Sequence, residues 1–206
     1  MITITYGIFA EDSAIKVFIE KTLPQLVPNF GFHHAVQFEH AEDFTNFIIA
    51  TGKDYVKEKF MSVVAHGVKT YALELCFVGL DADEDEHDIL FNQMNEKLAG
   101  SHLEHITLVF IPVQCIEYWL WYLKTKLDDL SLVSTPVIDG YNLRKDKEIK
   151  KLVYGKKRIN NQECAVIITE LTKNIDFDWL NAHSASFKHF YNLFHDYLKK
   201  NFGVAL

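Results

Sequence analysis

Two rhythms of apolar and polar positions run along this chain, one over its first 130 residues and a different one beyond them. Ile2–Phe9 alternates and is rich in β-branched residues, which predicts a strand. Ser13 predicts an N-cap. Ile15, Val17, Phe18, Ile19 and Leu23 give the next segment a helical apolar face that should end near Pro24. Residues 35–39 predict a second short strand, and residues 42–50 and 55–64 predict helices; residues 68–73 fit either state. The run Leu75–Leu80 (LCFVGL) is apolar throughout, as in a strand covered on both faces of a parallel sheet. An amphipathic helix over 86–98, a buried strand over 107–112 (TLVFIP) and a strongly apolar helix over 115–126 follow. Past residue 130 the pattern predicts a loop over 131–142 and helices over 144–154, 160–172 and 186–201, with no further strand.

Strands that alternate with helices imply βαβ units with right-handed crossovers. The fold class expected is therefore α/β, a Rossmann-like, mainly parallel sheet flanked by helices, with a helical C-terminal part. The expected division is an α/β core over 1–130 and a helical extension over 131–206, packed together as one compact unit.

Composition narrows the class. A chain of 206 residues, 49% hydrophobic and 24% charged, has the profile of an ordinary globular protein with a real core. No apolar run reaches the roughly 18 residues needed to span a bilayer. The start, MITITYGIF, lacks a basic region and a small-residue cleavage site, so a cytoplasmic protein with no membrane partner is expected. Cys76, Cys115 and Cys164 lie far apart in apolar stretches and read as reduced thiols. The net charge of −7 argues against nonspecific nucleic-acid binding by the body of the protein. Residues 144–158, however, carry a local charge of +6. Lys150, Lys151, Lys156, Lys157 and Arg158 from this stretch are candidate phosphate contacts, with Tyr141 and Tyr154 as stacking side chains. The competing reading is a solvated helix face.

The sharpest chemical feature is Asp81-Ala82-Asp83, where the LCFVGL strand discharges directly into acids. Ligand sites of parallel sheets lie outside the carboxyl ends of strands. A hard cation such as Mg²⁺ is satisfied by a few carboxylate oxygens and its own waters. Glu84, Asp85 and Glu86 are explained by the dipole of the following helix, with Asp85 also placed to act in an outer shell. An EF-hand is excluded, because Glu86 and Asn92 stand where that loop needs glycine and glutamate. Glu11 ends the first strand at the same edge, and three converging carboxylates call for a neutralising cation. Asp12 fits a helix cap as well as a site acid, and carries less weight than Glu11. Glu117 sits in an otherwise apolar helix, as either a structural hydrogen-bond acceptor or an outer-shell residue. Trp119, Trp121 and Tyr122 read as core. P-loop, dinucleotide and nucleophile-elbow motifs are missing, and the ten histidines form no H-E-x-x-H pattern.

Glu11 after one strand and Asp81-x-Asp83 after a later one resemble the Toprim fold of topoisomerases, primases and OLD-type nucleases. Pro112 to Leu120 (PVQCIEYWL) resembles the "P…IEAWL" stretch of small bacterial Toprim-like proteins, the RloB-like group among them. Ser184-Ala185-Ser186-Phe187 resembles their "S.SF" segment. Asp12 stands where that family has glycine and Ile15 where an acid is frequent, which leaves Asp-x-Asp as the better anchor. The resemblance implies that Glu11, Asp81 and Asp83 bind Mg²⁺ or Mn²⁺ and act on a phosphodiester, with Glu11 as ligand or as proton-transfer group. It further implies a nuclease of phage or mobile-element defence, with nucleic acid and a protein as partners and a homodimer as one assembly. The readings from other classes are a noncatalytic Toprim-like module that binds nucleic acid or a protein, and a regulatory protein that binds a small phosphate ligand.

Overall fold

A computed structural model describes residues 1–47, 52–83, 85–128, 149–156 and 158–203. Four strands, β1 (Ile2–Ala10), β2 (Val36–His40), β3 (Leu75–Gly79) and β4 (Thr107–Phe110), form one sheet in the order β2-β1-β3-β4. All three pairings are parallel, and the register sets Ala10 opposite Gly79 and Gly79 opposite Phe110. The α/β class is therefore as expected, and the arrangement is compatible with a Rossmann-like fold.

Side chains alternate across the sheet and so divide the core into two layers. Ile4, Tyr6, Ile8, Leu75, Phe77, Leu108 and Phe110 face one layer. Phe9, Cys76, Val78 and Val109 face the other. The second layer is closed by α2 (Glu42–Phe47), α3 (Lys53–Tyr71) and α4 (His87–Leu98). The first is closed by α1 (Ser13–Asn29) with α5 (Glu117–Asp128), α6 (Ile149–Tyr154), α7 (Asn161–Leu171), α8 (Phe177–His183) and α9 (Ala185–Phe202). Trp119, fully buried, packs edge-on against Phe18 and Phe187 in that layer. Its indole N–H donates to Ser186 Oγ at 2.9 Å, which satisfies the polar end of a large apolar side chain.

Two local expectations are corrected and one open stretch is settled. The N-cap of α1 is Asp12, whose Oδ1 accepts the Ile15 N–H at 3.0 Å, and not Ser13. The helix also runs through Pro24 and Pro28 to Asn29. Burial of Leu23, Leu26 and Val27 against the sheet outweighs the two lost N–H donors. α3 absorbs most of the ambiguous stretch 68–73 and ends at Ala72, in the left-handed conformation at φ 53. α8 has no predicted counterpart. Among the described residues no helix is long and apolar enough to cross a membrane.

Candidate functional site

In the order β2-β1-β3-β4 the chain leaves β1 toward one side for β2 and returns on the other side for β3. Such a reversal opens a crevice outside the carboxyl ends of the two strands, where open α/β sheets bind ligands. Glu11 and Asp81 stand at those two ends. The Glu11 N–H extends the ladder by donating to Gly79 O at 3.0 Å. The Asp81 N–H then donates to Glu11 Oε2 at 3.1 Å, so one carboxylate is braced by the backbone of the other. Asp81 Oδ1 accepts the Ile116 N–H at 2.9 Å from the segment after β4. This convergence needs Gly79, where a Cβ would collide with the Phe110 ring and the Ile15 side chain. Ile15 itself is fully buried, which explains why an acid at that position would be misplaced here.

The edge is acidic, and its inner part is buried. Asp81 is only 6% exposed, and its pKa is pushed well above the ordinary range by burial and then by Asp12, Glu117 and Glu11. Burial also raises Glu11; the Asp81 N–H bond works against the rise, and the charges of Asp83 and Asp12 add to it. Asp12 is raised by burial and then by Glu117. Asp12 is therefore more than a cap, because it belongs to the same electrostatic cluster.

Asp83 is held differently from the expectation. Its carboxylate is exposed and pairs with Lys53 Nζ at 3.1 Å. Lys53 also pairs with Asp85 at 3.0 Å and donates to Ala82 O at 3.2 Å. Asp83 has a positive φ of 52, as does Gln114 at φ 60, and the Asp83 N–H donates to Gln114 O at 2.8 Å. Two non-glycine residues in this sparsely populated region, bonded to each other, mark a loop over-determined by its surroundings. Glu84 lies outside the described residues.

Glu117 is buried at 1% exposure at the start of α5. Its Oε1 accepts the Tyr154 hydroxyl at 3.2 Å and pairs with Lys150 Nζ at 3.4 Å, both from α6. Its Oε2 is buried and has no hydrogen-bond partner among the described residues. The Cys115 thiol, beside it, is pushed up by burial and then by Glu117 and Asp81, so it stays a thiol. The oxygen-rich, thiolate-free surroundings suit a hard cation better than a soft one. Among the described residues, however, no group of three or more His, Cys, Asp or Glu side chains stands ready to hold a metal ion.

The candidate phosphate contacts divide. Lys150 turns inward to Glu117, and Lys156 pairs with Glu163 at 2.7 Å. Lys151 and Arg158 are exposed, whereas Tyr141 and Lys157 lie outside the described residues. Sequence reasoning missed Lys53, which carries no motif of its own. It also missed the His87–His189 pair, in which His87 Nδ1 donates to Ile111 O at 2.7 Å and the two rings meet at 3.0 Å.

Against known proteins, no family model, no curated protein and no solved structure matches the chain. The class defined by fold and site is an α/β protein with an acidic cluster at the switch point of a parallel sheet.

Proposed function

We propose that this chain is a Toprim-like α/β protein that uses the Glu11–Asp81 edge, with Mg²⁺ or Mn²⁺, to cleave or transfer a phosphodiester, in a role such as phage or mobile-element defence. The observation that carries this reading is the meeting of Glu11 and Asp81 at the switch point, with the Asp81 N–H on Glu11 Oε2 at 3.1 Å. The segments behind the resemblance also meet here. Pro112 O accepts the Ala82 N–H at 3.0 Å, Ile116 binds Asp81, and Ser186 Oγ accepts both the Trp119 indole and the Val113 N–H. Mg²⁺ is commonly held by one or two carboxylates with waters and substrate phosphates, so a preassembled trio is not required.

Glu11 and Asp81 would hold a divalent cation here, which when bound would neutralise charge and polarise a phosphoryl oxygen. The chain's own residues prepare the place. Asp81 is oriented by the Ile116 N–H, and Glu11 by the Asp81 N–H. The raised pKa of Glu11 brings its carboxyl closer to the range in which a side chain exchanges protons with an attacking water or a leaving oxygen.

The noncatalytic module is the second reading, and the Lys53 contact with Asp83 is what favours it. One experiment separates the two. Purified protein is incubated with single-stranded and duplex DNA and RNA plus Mg²⁺ or Mn²⁺, beside Glu11→Ala and Asp81→Ala. The nuclease reading expects metal-dependent cleavage that falls about 100-fold or more in each variant. Binding without cleavage in all three proteins supports the module and sinks the enzyme.

A further inference from the structure

An ammonium group carries three donors. Those of Lys53 are engaged by three oxygens of the loop after β3, namely Ala82 O, Asp83 Oδ2 and Asp85 Oδ2. The side chain is only 19% exposed although it stands in the first turn of a helix. Its partner Asp83 is the second acid of Asp-x-Asp, whose charge acts on Glu11 as Lys53's does, in the opposite sense. Lys53 thus already supplies the positive charge that the outer half of the acidic edge requires.

We infer that Lys53 is a latch, a built-in counter-ion that holds the Asp83 carboxylate and must hand it over when a divalent cation enters at the Glu11–Asp81 edge. This rests on the reading that the edge binds such a cation, and it adds the regulation of that site. Lys53 is a positioning residue that acts through Asp83 and sets how tightly the cation is held. The backbone of Asp83, at φ 52 and bonded through its N–H to Gln114 O, fixes the point from which that carboxylate extends.

The test uses the intact chain as wild type, Lys53→Met, Lys53→Arg, Asp83→Asn and the double variant Lys53→Met with Asp83→Asn. Free Mn²⁺ is followed by electron paramagnetic resonance during titration. Lys53→Met should bind Mn²⁺ about tenfold more tightly than wild type. Lys53→Arg should restore the wild-type value, and the double variant should lose the gain. In metal-free buffer, hydrogen exchange at the Asp83 and Asp85 amides should quicken in Lys53→Met and recover in Lys53→Arg. Mn²⁺ binding that needs Glu11 and Asp81 yet stays within about twofold in Lys53→Met overturns the latch and leaves the cation site standing. A gain that survives in the double variant overturns it too, because Asp83 would not be the group released. No Mn²⁺ binding by wild type or any variant overturns the cation site, and the exchange with it.

Discussion

Among the lysines that meet carboxylates in this protein, Lys53 and Lys150 stand in surroundings that give their contacts different meanings. Lys53 reaches Asp83 and Asp85, which are about half exposed, and water screens what they share. Lys150 reaches Glu117, whose side chain is 2% exposed and whose second oxygen has no partner among the described residues. The outer contact adjusts a loop at little thermodynamic risk. The inner one compensates a charge that could not otherwise stay buried.

The largest effect should come from breaking the inner pair. Lys150→Met leaves Glu117 Oε1 with the Tyr154 hydroxyl but without its ammonium partner, and should lower stability by about 2 kcal/mol, less than for a fully buried pair because Lys150 is half exposed. Adding Glu117→Gln should recover much of that loss, as measured by urea unfolding. An equal loss in the double variant would mean that packing, not charge, holds α6 in place.

The next effect depends on pH. The Asp81 pKa in the folded chain lies above its unfolded value. The folded protein therefore holds more protons in the window above the ordinary aspartate range, and stability falls as pH rises through it. Asp81→Asn keeps an oxygen for the Ile116 N–H, so it should raise the melting temperature at about pH 8 and give a smaller gain at about pH 4. Asp85 works in the other direction. Lys53 lowers its pKa, so its contribution is present above the ordinary aspartate value and lost as pH falls through the folded one. Inner and outer carboxylates should thus respond to acid with opposite signs.

The smallest change in stability should follow Lys53→Met, under about 1 kcal/mol by the same unfolding measurement. A much larger loss would make the outer contact structural and erase the contrast with Lys150.

The sheet and its acidic edge were legible because their signals are local. An apolar run such as Leu75–Leu80 has few alternatives to a buried parallel strand, and acids directly after it fall at its carboxyl end. The length of α1 was not legible, since Pro24 and Pro28 are local stop signals overruled by distant packing. Lys53 was hidden as a site residue, and Lys150, expected as a phosphate contact, gave no sign that it pairs with Glu117. Lys53 finds its acidic partners 30 and more positions away, and no spacing within its own helix announces them. Asp83 follows the end of β3, whereas its ion pair with Lys53 joins it to a helix that no local signal connects with that strand.

The hydrogen bond from Asp81 to Glu11 joins residues 70 positions apart. Closing a loop of that length comes late in folding, because its entropy must be spent before the contact rewards it. Emerging from the ribosome, the first strand carries Glu11 long before β3 exists to meet it. Glu11 and Asp81 are therefore kept apart until the sheet has closed, so the nascent chain cannot assemble this acidic edge before its strands pair.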